Sequence, residues 1–114
     1  MQNLRYVGKN LFVEKLSIKN ILKKNKTPFY IYSESQIAFN FLKFANTFKK
    51  TDPLICFAAK SNSNLNILRV LGKLGAGADV VSGGELLKAL KAGIRPNKIV
   101  FSGVGKTEEE LKIA

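Results

Sequence analysis

The sequence has 114 residues, of which 46% are hydrophobic and 24% charged, enough for one small domain or part of a larger one. A single cysteine, Cys56, excludes an internal disulfide framework and suits a reducing compartment, and the lack of histidine argues against a metal site. The net charge of +11 is spread along the chain, which favours a lysine-rich solvated surface over a nucleic-acid partner.

The N-terminal residues do not predict a signal peptide, because residues 1–9 lack the necessary apolar core. No window approaches the run of about 18 apolar residues that a membrane span needs. We therefore expect a cytoplasmic chain with no membrane partner.

The first third of the chain predicts short strands and one short helix. Residues 4–15 predict two strands around a turn at residues 8–10, because apolar residues alternate on both sides of that turn. Ser17 is placed to cap a brief helix at residues 18–22. Residues 27–32, with the sequence TPFYIY, are rich in strand-forming residues and predict a further strand.

A longer helix is predicted to follow. Ser33 and Gln36 have the spacing of a capping box, in which each residue satisfies a backbone N–H near the start of the helix. Apolar residues then recur at i, i+4, i+7, i+8 and i+11, which gives one stripe for packing. These residues are Ile37, Phe41, Phe44, Ala45 and Phe48. Residues 51–53 are predicted to end the helix.

After Pro53 the chain alternates between predicted strands and helices. The predicted elements are a strand at 54–59, a helix closed by Gly75, a strand at 77–81, a helix closed by Gly93, a strand at 99–101, and a helix opened by a Thr107–Glu110 capping box. Such alternation is typical of βαβ units with a parallel sheet. It fits a doubly wound sheet or the first three units of a (β/α)8 barrel, which needs about 250 residues.

Lys60 is the first candidate for chemistry, because it ends a run of six apolar residues. Alternation along a strand puts Cys56, Ala58 and Lys60 on one face, so the amine has two small neighbours and room for a flat molecule. A lysine partly withdrawn from water has its ammonium form disfavoured, and the free amine can attack a carbonyl to form a Schiff base. Alternatively, Lys60 merely ends the strand and reaches into water.

Asp79 is the second candidate, because a carboxylate within a small, apolar strand needs a partner. It is predicted to point away from the helices if Val80 packs on them, and a structural ion pair or backbone hydrogen bond is the alternative role. Ser82 and Glu85 have capping-box spacing. The two intervening glycines also leave room for a ligand or an anion at the helix N-terminus, although the spacing favours capping.

Two segments carry a family resemblance. Residues 55–94, ICFAAKSNSNLNILRVLGKLGAGADVVSGGELLKALKAGI, and residues 98–111, KIVFSGVGKTEEEL, closely resemble the N-terminal part of the diaminopimelate decarboxylases. These are pyridoxal-phosphate enzymes with the alanine racemase type of barrel. The resemblance implies an α/β fold in which residues 1–33 belong to a split second β domain. Residues 34–114 would form a helix and the first three βα units of an incomplete (β/α)8 TIM-type barrel.

The resemblance also implies the cofactor and the site. The cofactor would be pyridoxal 5'-phosphate, with Lys60 as its Schiff-base lysine and the catalytic residue. Ala58 would lie against the cofactor, Asp79 would belong to the polar network of its pocket, and Glu85 would lie near the Schiff base. The family usually has Tyr-Ala-Val-Lys-Ala-Asn where this chain has Phe-Ala-Ala-Lys-Ser-Asn at residues 57–62, which should change packing rather than catalysis.

The implied activity is conversion of meso-2,6-diaminopimelate to L-lysine and CO2 by a complete, homodimeric protein. The family's phosphate-binding, pyridine-nitrogen and substrate-binding groups lie later in its chains, so we expect this 114-residue chain alone to be inactive. Three alternatives stay open: a decarboxylase of another basic amino acid or polyamine precursor, a non-catalytic pyridoxal-phosphate-binding protein, and a basic binding module.

Overall fold

The computed structural model describes residues 3–114, which form an antiparallel sheet, a parallel sheet and five helices. The strands are β1 (Leu4–Val7), β2 (Asn10–Val13), β3 (Leu16–Ser17), β4 (Cys56–Ala58), β5 (Gly77–Val80) and β6 (Ile99–Phe101). The helices are α1 (Ile18–Leu22), α2 (Glu34–Thr47), α3 (Leu65–Lys73), α4 (Gly83–Lys91) and α5 (Glu108–Ile113). None of these described helices has both the length and the apolar character needed to cross a membrane.

The antiparallel sheet has the order β1-β2-β3. The predicted pair of strands is confirmed, and Gly8 takes a positive φ of 59° in the turn between them, a conformation that glycine adopts without steric cost. Strand β3, which is only two residues long, was not predicted. The predicted helix cap is confirmed, because the Ser17 Oγ accepts a hydrogen bond from the Asn20 N–H at 3.3 Å.

The strand predicted at residues 27–32 is wrong. The segment belongs to neither described sheet, and its tyrosines project outward, with Tyr30 90% exposed and stacked on Tyr32 at 6.5 Å between ring centroids. Strand-forming residues favour an extended backbone, but a strand also needs a neighbouring edge with free N–H and C=O groups. In residues 3–114 no strand pairs with this segment.

Helix α2 begins where predicted, but only half of the predicted capping box forms. The Ser33 Oγ accepts from the Gln36 N–H at 3.1 Å, whereas the Gln36 side chain donates to the Asn40 Oδ1 instead. A carboxylate from the turn between β2 and β3 also bonds to the start of the helix: the Glu14 Oε1 accepts from the Ser33 hydroxyl at 2.6 Å and from the Ser35 N–H at 3.1 Å. These bonds lower the pKa of Glu14 and connect the turn after β2 to the start of α2.

The apolar stripe of α2 packs along only part of its length. Ile37 and Phe41 pack on a buried cluster of α3 residues and the residue before β5, formed by Ile67, Leu71 and Ala76. Phe44 is 54% exposed and lies against the exposed Phe48, with 5.0 Å between ring centroids. The predicted stripe is therefore right for its first half and wrong for its second half within the described residues.

The parallel sheet has the order β4-β5-β6, and the predicted alternation of strands and helices is confirmed. One face is covered by α3 and α4, and its core consists of Ala59, Leu68, Ala78, Val80, Leu86, Ala89 and Ile94. Gly75 and Gly93 close α3 and α4 with positive φ angles of 97° and 89°, as their positions predicted. The Thr107–Glu110 capping box opens α5.

Candidate functional site

Lys60 does not lie on the strand face that alternation predicted. Strand β4 ends at Ala58, and a 3-10 turn at Ala59–Ser61 follows, so Lys60 is not on the strand. The turn is held by the Ser61 hydroxyl, which donates to the Ala58 carbonyl at 2.7 Å, and by the Asn62 N–H, which donates to the Ala59 carbonyl at 3.1 Å. Because Ala59 anchors this turn in the core, Lys60 is held at the carboxyl end of β4.

Two expectations about Lys60 are therefore corrected. The residues of β4 are half-buried rather than buried on both faces, and the side chain of Lys60 is exposed rather than withdrawn from water. The physical reason is that α3 and α4 cover only one face of the sheet. Among residues 3–114 the one ion pair is Lys112–Glu108, so no carboxylate there is paired with the Lys60 amine.

Asp79 lies on the central strand β5, directly beside Ala58 in the register of the parallel sheet. Its neighbour Val80 is fully buried against the helices, so Asp79 points to the opposite face, as the sequence predicted. The partner of the carboxylate is neither a cation nor a backbone group: the Ser102 hydroxyl donates to the Asp79 Oδ1. Ser102 was not predicted as a site residue, although its position just after β6 places it at the same edge of the sheet as the carboxyl end of β5.

The face away from the helices, called the open face below, carries Cys56, Ala58, Asp79 and Val100. Val100 is 48% exposed although it lies in the middle of β6. Burial raises the pKa of the Cys56 thiol, and the negative charge of Asp79 raises it further. The charge of the Asp79 carboxylate therefore acts on the thiol of the same face.

The turn between β5 and α4 positions Glu85. The Ser82 Oγ accepts from the Glu85 N–H at 3.3 Å, as predicted. However, the Glu85 carboxylate accepts from the Val81 N–H at 2.9 Å rather than from Ser82, so the capping box is displaced by one residue. The Glu85 carboxylate is thus held close to the carboxyl end of β5.

The N-terminus of α4 is bonded to the Glu110 side chain, a contact that was not predicted from the sequence. The Glu110 Oε1 accepts from the Gly83 N–H at 2.7 Å, and its Oε2 accepts from the Thr107 N–H at 3.0 Å. These two bonds, the first being the larger effect, lower the pKa of Glu110. Because Gly83 and Glu110 are 27 residues apart, sequence spacing could not reveal the contact.

The open face and the turn after β4 together carry groups that suit a flat aldehyde. On the open face, Ala58 contributes only a methyl group and Asp79 a carboxylate, and Lys60 carries a primary amine in the turn directly after β4. A separate cavity of about 690 Å³ lies in the N-terminal part, lined by residues that include Arg5, Glu14 and Ser33, and it contains none of these groups. No cluster of three potential metal ligands occurs in residues 3–114.

Comparison with known proteins gives the family. Residues 34–114 match the family described as "Pyridoxal-dependent decarboxylase, pyridoxal binding domain". The chain belongs to this family of pyridoxal-phosphate-dependent decarboxylases, which confirms the cofactor at the level of the family.

Individual curated relatives indicate a more specific activity. The chain is 46% identical to a diaminopimelate decarboxylase of Pseudomonas fluorescens, over 100% of this chain and 27% of that protein. It is 49% identical to that of Aquifex aeolicus, over 95% of this chain and 25% of the relative. The chain thus spans about a quarter of the length of these curated relatives.

Solved structures of decarboxylases are similar to the described fold. The crystal structure of M. jannaschii diaminopimelate decarboxylase in complex with L-lysine matches with a TM-score of 0.90 and 37% identity, over 96% of this chain and 27% of that one. Lysine decarboxylase from Selenomonas ruminantium matches with a TM-score of 0.80 and only 26% identity, over 100% and 28% of the respective chains. The described fold is therefore the mixed α/β fold of pyridoxal-phosphate-dependent decarboxylases.

Proposed function

We propose that a protein of the relatives' full length carrying this sequence, called the full-length protein below, is a carboxy-lyase of lysine biosynthesis. It converts meso-2,6-diaminopimelate to L-lysine and CO2, with Lys60 as the Schiff-base lysine. The observation that carries this proposal is the exposed Lys60 amine, held at the carboxyl end of β4 in a pyridoxal-binding domain by a turn whose first residue, Ala59, is buried. The identities favour diaminopimelate over lysine as substrate, at 46% against 26%.

The bound cofactor would supply an electron sink for the bond that loses CO2. The residues of this chain hold and orient it. Lys60 would hold the cofactor through its Nζ, because a neutral primary amine is the form that attacks a carbonyl carbon. Ala58 leaves space beside the ring, Asp79 presents negative charge on the same face, and Glu85 is proposed to lie near the Schiff base, held there by the Val81 N–H.

The same proposal assigns the domains. Strands β4–β6 with α3–α5 would be the first three units of a (β/α)8 barrel, with the open face directed into its interior. This accounts for the exposure of Val100 in the middle of a strand. Residues 1–33 would belong to a split β domain, in which the unpaired segment 27–32 finds a partner strand. We further propose that the full-length protein is a cytoplasmic homodimer, and the free Cys56 supports a reducing compartment.

Reductive trapping tests the role of Lys60. The full-length protein is mixed with pyridoxal phosphate, reduced with borohydride, digested and mapped by mass spectrometry. We expect the adduct on the peptide that contains Lys60, its loss in Lys60→Ala, and its retention in Lys88→Ala. Lys88 is the matched control because its Nζ lies at the same edge of the sheet, donating to the Ser63 Oγ at 2.9 Å. Covalent uptake that persists in Lys60→Ala contradicts the proposal.

Substrate choice needs a separate assay. CO2 release by the full-length protein is compared for meso-diaminopimelate, lysine, ornithine and arginine. Release from diaminopimelate alone supports the proposed reaction, whereas preference for another of these substrates favours the alternative decarboxylase. The 114-residue chain by itself is expected to release no CO2 from any of them, and measurable lysine formation by it contradicts that expectation.

A further inference from the structure

Ser102 occupies a fixed position at the carboxyl edge of the parallel sheet. It is the first residue after β6, and its N–H donates to the Val80 carbonyl at 2.9 Å, which extends the ladder between β5 and β6 by one bond. Its hydroxyl then donates to the Asp79 Oδ1 across the same pair of strands. The backbone and the side chain of one serine are thus both bonded to β5.

The residue after Ser102 fixes this position from the other side. A Cβ added to Gly103 would lie 2.5 Å from the Val81 carbonyl oxygen, so the backbone here packs directly on the end of β5. The Lys106 Nζ donates to the Gly103 carbonyl at 2.6 Å. Because the loop is held on both sides, the Ser102 hydroxyl is oriented toward the carboxylate before any ligand binds.

We propose that Ser102 is a positioning residue for the cofactor site, whose hydroxyl fixes the Asp79 carboxylate in orientation on the open face. An ionised carboxylate accepts several hydrogen bonds, and the Ser102 bond occupies only Oδ1. The other oxygen, Oδ2, would accept a hydrogen bond from a proton-bearing group of the cofactor held by Lys60. Ser102 itself touches neither cofactor nor substrate. This inference rests on the proposed function.

Binding of the cofactor gives the first test, in the full-length protein. We expect Ser102→Ala to weaken the affinity for pyridoxal phosphate about tenfold, as the loss of one charge-assisted hydrogen bond predicts. Ser102→Thr keeps the hydroxyl and should restore the affinity. Ser63→Ala, which loses a serine hydroxyl at the same edge of the sheet, should leave it unchanged.

A double-mutant cycle separates positioning from a merely structural role. If Ser102 acts through Asp79, then Ser102→Ala should have no further effect on cofactor affinity in an Asp79→Ala background. Because Ser102 is exposed, Ser102→Ala should leave the fold intact, and the thermal midpoint of each variant checks this directly. Equal effects of Ser102→Ala in the presence and absence of the Asp79 carboxylate overturn the proposal.

The Cys56 thiol reports on the carboxylate without any cofactor. Its pKa is raised by burial and by the charge of Asp79, so Asp79→Ala should lower that pKa. Ser102→Ala should change it as well, and Ser102→Thr should not. The thiol is followed through the ¹³Cβ signal that disappears in Cys56→Ser. An unchanged Cys56 pKa in Ser102→Ala overturns the positioning role.

The two proposals fail in different ways. If the Lys60 adduct forms but Ser102→Ala binds the cofactor as tightly as the unmodified protein, only the positioning role is lost. If no adduct forms on Lys60, the proposed function is lost and the role toward the cofactor is lost with it. The Cys56 titration then still shows whether Ser102 orients the carboxylate.

Discussion

Replacing Gly103 by alanine should damage the site from a position that carries no functional group. The added Cβ would lie 2.5 Å from the Val81 carbonyl oxygen and 3.0 Å from the Val81 carbonyl carbon and Cα. All three are backbone atoms, so no side chain can rotate away. The loop after β6 must then move away from the end of β5, and Ser102 must move with it.

The size of the effect follows from these distances. The contact of 2.5 Å is about 0.9 Å short of the 3.4 Å at which ordinary van der Waals contact begins. Overpacking of this kind typically costs about 1–3 kcal/mol of the free energy of unfolding. With a urea slope of about 1–3 kcal/mol per molar, a loss near the middle of that range lowers the unfolding midpoint by roughly 1 M.

Gly105 provides the matched control, because it lies in the same loop and an added Cβ would meet nothing within 4 Å. Urea unfolding followed by circular dichroism should place Gly105→Ala near the unmodified protein and Gly103→Ala well below it. In the full-length protein, Gly103→Ala should also weaken cofactor binding in the same direction as Ser102→Ala. Equal midpoints for the two alanine variants refute the argument from close backbone contact.

Two further predictions concern the packing of the core and the loss of stability at low pH. Leu68 has no exposed surface, so Leu68→Ala should lower the free energy of unfolding by about 2–5 kcal/mol. Leu87 is exposed, so Leu87→Ala should change that free energy by no more than about 0.5 kcal/mol. Similar urea midpoints for the two variants would contradict this prediction. The folded-state pKa of Glu110 lies below its ordinary value of 4.5, so its stabilising contribution is full above pH 4.5 and is lost as the pH falls through the folded-state pKa. Thermal midpoints against pH should therefore fall less steeply in Glu110→Gln than in the unmodified protein or in the Glu109→Gln control, and parallel curves count against this role of Glu110.

Local patterns accounted for most helix boundaries. Ser17, Ser33 and Thr107 cap the helices that their positions predicted, because an N-cap bonds only to backbone groups two or three residues away. Gly75 and Gly93 end helices for an equally local reason, since each supplies the positive φ that the last turn requires. Where the partner had to come from elsewhere, as for segment 27–32, propensity alone gave the wrong answer.

The site also divides into residues that local sequence patterns mark and contacts that join distant parts of the chain. The sequence marked Lys60, Ala58 and Asp79, because a lysine after an apolar run and a carboxylate within an apolar strand are unusual in themselves. It could not mark Ser102 or the contact between Glu110 and Gly83, because each joins residues more than 20 positions apart.

The amino-acid order by itself determined the alternation of strands and helices, most of the helix ends and the placement of Lys60 just after an apolar segment. These depend on hydrogen bonds and apolar periodicity within a few residues. Only the tertiary structure decided which face of the parallel sheet stays open, that Lys60 is exposed, and which distant side chains hold Asp79 and the start of α4. Those outcomes depend on the register and packing of strands that are far apart in the chain, which no local pattern encodes.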